Sequence, residues 1–226
     1  MVEVIGQILP TAVGVALSPI PIVAVILMLF TARARTNSIA FVAGWILGLA
    51  VVGGVVLALG SSIDLGSGDD EASTTTGVIK LVLGLGLLAL AYRNWSGRPR
   101  GDEEPEMPAW MAAIDDFNAV KSLGLAAALS GPNPKNLLLG IAAASTIASS
   151  SLSSTDKIVA LVIYLVIASS TVVVPVMIYL ILGDRVDEKL SAMKDWLVAY
   201  NDVVMAVLLL IFGFKLLGDG ITILSA

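Results

Sequence analysis

Apolar residues in this chain come in long unbroken runs, not in the periodic stripes of a water-soluble domain. A helix needs about 20 such residues to cross the hydrocarbon layer of a bilayer. Six runs qualify, at roughly residues 4–30, 38–59, 76–92, 120–147, 158–182 and 197–223. Amides surrounded by lipid must pair within their own segment, so each run is predicted to be an α-helix. The expected fold is therefore all-α, a polytopic membrane bundle of six transmembrane helices. A polar linker rich in Gly, Pro and Glu separates the third run from the fourth. This divides the chain into a three-helix unit over 1–95, a cytoplasmic linker with an interfacial helix over 96–117, and a second three-helix unit over 118–226.

Two of the runs are interrupted in the same way. The first contains Ser18-Pro19-Ile20-Pro21, and the fourth contains Gly131-Pro132-Asn133-Pro134-Lys135. Pro132 follows Pro19 by 113 residues, half of the 226-residue chain. An odd number of spans per half inserts the second half upside down. Matched Pro/Gly interruptions in inverted halves point to a site at the midplane. Ser18 lies roughly 21 Å into its span and Gly131 roughly 17 Å into its own, so both breaks fall deep in the layer. Ser18 is placed to cap a new helix with Pro19 in first position, and Asn133 does the same with Pro134. Gly131 suits the end of the preceding half-helix. Two helix N-termini at that depth would attract an anionic group. The plain alternative is a pair of structural proline kinks.

Charge sharpens this picture at one residue. Lys135 is expected at mid-bilayer, where insertion costs about 2.5–3.5 kcal/mol. It should turn inward, and two readings stand open: holding a ligand, or bonding the carbonyls freed at the breaks. Lys80 and Lys215 lie near the outer interface, where snorkelling to the headgroups is expected. The candidate substrate-binding set is Ser18, Pro19, Pro21, Asn133, Pro134, Lys135 and Asn136.

Lys and Arg gather in the loops after spans one, three and five (Arg33, Arg35, Arg93, Arg98, Arg100, Lys121, Arg185, Lys189, Lys194). Positive-inside then puts both termini outside the cytoplasm and the acidic stretch Asp64, Asp69, Asp70, Glu71 with them. Trp45, Trp95, Trp110, Trp196 and Tyr92 fit an aromatic belt on the cytoplasmic side. Two stretches have the spacing of interfacial helices: Trp110, Ile114, Phe117 and Val186, Leu190, Met193, Leu197. Met1-Val2-Glu3 has no positive side chain, so the first helix is expected to be retained rather than cleaved as a signal.

Composition mainly excludes. Hydrophobic residues make up 57% of the chain and charged residues 14%, far below the roughly 25% of soluble domains. With no Cys and no His, thiol chemistry, thiolate metal sites and imidazole catalysis are absent, so neither an enzyme nor a bound cofactor or metal is expected. A net charge of −5 argues against nucleic acid. Gly44-x-x-x-Gly48, Gly53, Gly54, Gly84, Gly86 and Ala142–Ala144 allow close helix packing, and a homodimer through one such face is open. Tyr164, Tyr179, Ser169, Ser170 and Thr171 are placed to bond across helices or line a path, and Pro175 to kink its span.

At these residues a family resemblance emerges. Ser18-Pro19-Ile20-Pro21 with Asn133-Pro134-Lys135-Asn136 resembles the LysE superfamily of small exporters. Ala16-Leu17-Ser18-Pro19, Phe41-Val42-Ala43-Gly44-Trp45 and Asn133-Pro134-Lys135-Asn136-Leu137-Leu138-Leu139 look like its GAP or sulfolipid-addressing branch, across essentially the whole chain. Ile20 stands where amino-acid exporters carry Gly, a departure from the LysE-type amino-acid pattern, and a LysE-like exporter of a small amino-acid or ionic solute is kept as an alternative. The resemblance implies movement of a cell-envelope glycolipid or peptidoglycolipid from the plasma (inner) membrane, with membrane lipids as partners. It is equally consistent with an accessory or scaffold role beside a larger lipid exporter.

Overall fold

The computed structural model describes residues 1–60, 74–98, 111 and 113–225. The acidic stretch Asp64–Glu71, Arg100, Trp110 and most of the 96–117 linker lie outside the described residues. Every regular element described is helical: α1 Val2–Ala16, α2 Pro19–Leu29, α3 Ala34–Gly60, α4 Thr74–Gly97, α5 Ala119–Ser130, α6 Pro134–Ala148, α7 Ser154–Leu182 and α8 Asp187–Ser225. Short 3-10 turns sit at Ile114–Asp116 and Gly183–Val186.

Among these, α3, α7, α8 and the part of α4 from Gly77 to Gly97 are each long and apolar enough to cross a membrane. The pair α1–α2 qualifies as a fifth crossing, bent by 52° at Leu17–Ser18. The expected fourth run folds as two shorter helices, α5 of 12 residues and α6 of 15, joined through 131–133. By length and apolarity the described helices thus give four to five crossings. Both expected breaks are present where the prolines stand, because Pro supplies no amide and clashes with the carbonyl one turn back.

Glycine sets how closely the helices approach. A Cβ on Gly44 would lie 2.2 Å from the Leu123 carbonyl oxygen, and one on Gly48 2.1 Å from Ser130 Oγ, so α3 presses on α5 backbone to backbone. The α4–α8 seam closes in the same way, with Gly84 and Gly213 each facing the other's carbonyl. These glycine faces are therefore occupied inside the chain. Outside the seams, Val51, Val82, Leu85, Val166, Ile181 and Phe214 stay exposed, as lipid-facing residues do.

Several expectations change here. Trp45 is fully buried on α3 and belongs to the core, not to a belt. Trp95 and Trp196 are exposed, the first under the Arg98 guanidinium at 3.8 Å and the second against Tyr200. Ile114 is buried in a single 3-10 turn, because the turn is drawn in where Asn37 Nδ2 donates to the Phe117 carbonyl at 2.9 Å. The 186–197 stretch is no separate interfacial helix. It runs into the unbroken 39-residue α8, and Leu190 and Leu197 are buried. No Pro or Gly interrupts 187–197 to allow a turn there.

The close approach of α3 to α5 is testable. Gly48→Leu should lower thermal stability in detergent by about 1–3 kcal/mol through overpacking. Gly54→Ala, with nothing within 4 Å of its added Cβ, should leave it unchanged or slightly raised.

Candidate functional site

Proline chemistry decides which backbone groups need partners at the first break. In an unbroken helix the amide of residue 19 would reach the Val15 carbonyl, and that of residue 21 the Leu17 carbonyl. Pro19 and Pro21 have no amide to offer. The Ser18 N–H, which would reach Gly14, turns instead to the Ala16 carbonyl at 2.8 Å. Three carbonyls at the end of α1 are thus left over, those of Gly14, Val15 and Leu17.

Two side chains take them, Ser18 beside the break and Lys135 from a distant part of the chain. Lys135 Nζ donates to the Gly14 carbonyl at 2.7 Å, to Ser18 Oγ at 2.7 Å and, more weakly, to the Leu17 carbonyl at 3.5 Å. Ser18 Oγ lies 2.6 Å from the Val15 carbonyl and 3.2 Å from Asn136 Oδ1, so its one proton has two acceptors in reach. Thr171 on α7 donates to the Ala16 carbonyl. Each α1 carbonyl from Gly14 to Leu17 thus has a donor in reach, as buried backbone requires.

The second break is closed from its own side. Asn133 Oδ1 accepts the amides of Lys135 at 3.1 Å and Asn136 at 3.5 Å, and the Leu137 amide reaches the Asn133 carbonyl. Asn136 Nδ2 donates 2.9 Å to the Leu129 carbonyl on α5. Gly131 is the C-cap of α5, with its amide on the Ala127 carbonyl, as its position in the sequence suggests. At Ser18 the N-cap position is filled but the hydroxyl does not cap α2. With two prolines in its first turn, α2 presents few amides to an anion, and those of α6 are taken by Asn133. The group able to meet an anion here is the ammonium.

Lys135 is 3% exposed and Asn136 1%. Among the described residues no carboxylate pairs with Lys135. Its charge rests on neutral oxygens and on the negative end of the α1 dipole. Charged hydrogen bonds contribute about 1.5–3 kcal/mol each, so the two at 2.7 Å together are of the same order as the insertion cost of about 2.5–3.5 kcal/mol.

Of the seven candidates, Ser18, Lys135 and Asn136 meet through side chains, while the Asn133 side chain caps its own helix. Pro19, Pro21 and Pro134 act by shaping the helix starts around them. The sequence placed Lys135 to bond freed carbonyls and Thr171 to bond across helices, but it did not single out the Gly14, Leu17 and Ala16 carbonyls as their acceptors. The prolines carried a signal for Leu17, since a Pro at position i orphans the carbonyl at i−4. Lys80 and Lys215, expected to snorkel, both turn toward Asp219 on α8. Lys215 bonds it at 2.6 Å and Lys80 lies 4.0 Å away.

The fold and the buried site define an all-α membrane protein whose one deeply seated lysine joins two interrupted helical segments. A family model described as Sap, sulfolipid-1-addressing protein, matches residues 8–222. The chain belongs to the sulfolipid-1-addressing protein family. No curated protein and no solved structure matches it.

The junction has separable parts. Ser18→Ala removes an acceptor from the ammonium and a donor from the break, and should cost about 1–3 kcal/mol in detergent unfolding. Asn133→Ala should cost about 0.5–2 kcal/mol through the lost cap, and Asn133→Asp should restore most of it.

Proposed function

We propose that the protein moves a cell-envelope glycolipid or peptidoglycolipid, or a similar anionic amphiphile, across the plasma membrane, with its site between the two helix breaks. The observation that carries this reading is a buried ammonium, without a carboxylate among the described residues, held at the junction of both breaks. Intramembrane cations of this kind mark ligand pathways more often than they serve stability. When an anionic headgroup enters between α1–α2 and α5–α6, Lys135 releases the α1 carbonyls and donates to the headgroup.

This reading takes α1–α2 and α5–α6 as one span each, giving six spans in two inverted repeats over 1–95 and 118–226, with both termini outside the cytoplasm. Matched packing supports it. α1 packs on α7 as α5 packs on α3, α2 packs on α8 as α6 packs on α4, and the equivalent pairs α4–α8 and α3–α7 face each other. Lys135→Met should abolish appearance of the lipid in the outer envelope, measured by lipid inventory at matched protein level. Unchanged export in a folded Lys135→Met protein would remove the proposed site.

A second reading has its own support. The ammonium has three protons and three acceptors, so it also suits a fixed strut in a non-transporting accessory of a larger lipid exporter. Purified protein in vesicles should then move no lipid between leaflets, whereas net translocation by the protein alone excludes this role.

A further inference from the structure

The oxygens around Lys135 Nζ do more than satisfy an amine. They are acceptors gathered at the negative end of a half-helix: the Gly14 carbonyl at 2.7 Å, Ser18 Oγ at 2.7 Å and the Leu17 carbonyl at 3.5 Å. The Ser18 hydroxyl proton has its own acceptors, the Val15 carbonyl and Asn136 Oδ1, which leaves its oxygen free to face a cation. Unwound carbonyls at half-helix C-termini are a recurrent way of holding cations inside membranes. We propose that the α1–α2 break is a monovalent-cation site whose resident occupant is the Lys135 ammonium, and that a free alkali cation takes its place when Lys135 turns to an anionic headgroup. The exchange rests on the transport reading above, since that reading supplies the anion.

The need for a replacement follows from solvation. If Lys135 leaves, two carbonyls and one hydroxyl oxygen stay buried without donors, each costing about 1–3 kcal/mol. An incoming cation removes that penalty, so anion and cation enter together and leave together. The chemistry also selects the cation. Oxygens at 2.7 Å lie beyond the about 2.0–2.6 Å that Mg2+ and Ca2+ take, and neutral ligands do little to offset a double charge. Carbonyl cages suit a larger monovalent ion such as potassium.

Two measurements on the full chain in detergent or nanodiscs test this. In Lys135→Ala the cage is vacated. Its melting temperature should rise in a saturable way with KCl but not with choline chloride of equal ionic strength, and Ser18→Ala/Lys135→Ala should lose most of that rise. In the wild type, binding of a sulfated glycolipid probe should weaken about five- to 150-fold when choline replaces potassium and sodium. A helical Lys135→Ala protein that melts alike in both salts overturns the cation site. Probe binding that is indifferent to the cation overturns the exchange. A wild type that binds no probe in any salt would count against the transport reading alone, and the variant's salt response would still decide the cage.

Discussion

One contact orders this molecule: the ammonium of Lys135 seated among the oxygens left over where α1 breaks from α2. Each partner would be unstable without the other. A broken helix end buried in the bundle leaves carbonyls that water cannot reach, and a buried lysine leaves a charge that water cannot solvate. Brought together, the two deficits cancel. The bond spans 121 residues of sequence from Gly14 to Lys135, so it also ties the first half of the chain to the second.

The rest of the junction serves that contact. Asn133 uses its side chain on the first turn of α6 and so fixes the direction in which Lys135 leaves the helix. Asn136, one residue on, touches both breaks, holding the Leu129 carbonyl with its amide nitrogen and meeting Ser18 with its oxygen. Thr171 covers the last α1 carbonyl from α7. Around this polar knot the packing is glycine-thin, with α3 against α5 and α4 against α8 at backbone contact. Close seams leave few ways to rearrange. Motion at the junction is therefore coupled to how the half-helices move against these seams.

Much of this was legible in the residue order. Apolar run length gives the helices, since lipid forces backbone amides to pair locally. Proline positions give the two breaks and their caps, because a missing amide acts wherever the chain goes. The expense of a buried charge marks Lys135. Other readings failed where they depended on which way a helix face turns. Trp45 looked like a belt residue from its depth alone, yet it faces the core. For Lys80 and Lys215 it was the approach to Asp219 that no local pattern gave.

By itself, then, the sequence determined that this is an all-helical membrane protein, where its helices break, and that one lysine must find partners inside it. These are local consequences of covalent chemistry and solvation. Only the tertiary structure decided which partners: carbonyls at the C-terminal end of α1, with the N-terminal amides of α6 already taken by Asn133. That choice rests on the docking of α6 against α1, a contact between segments more than a hundred residues apart, which no local pattern encodes.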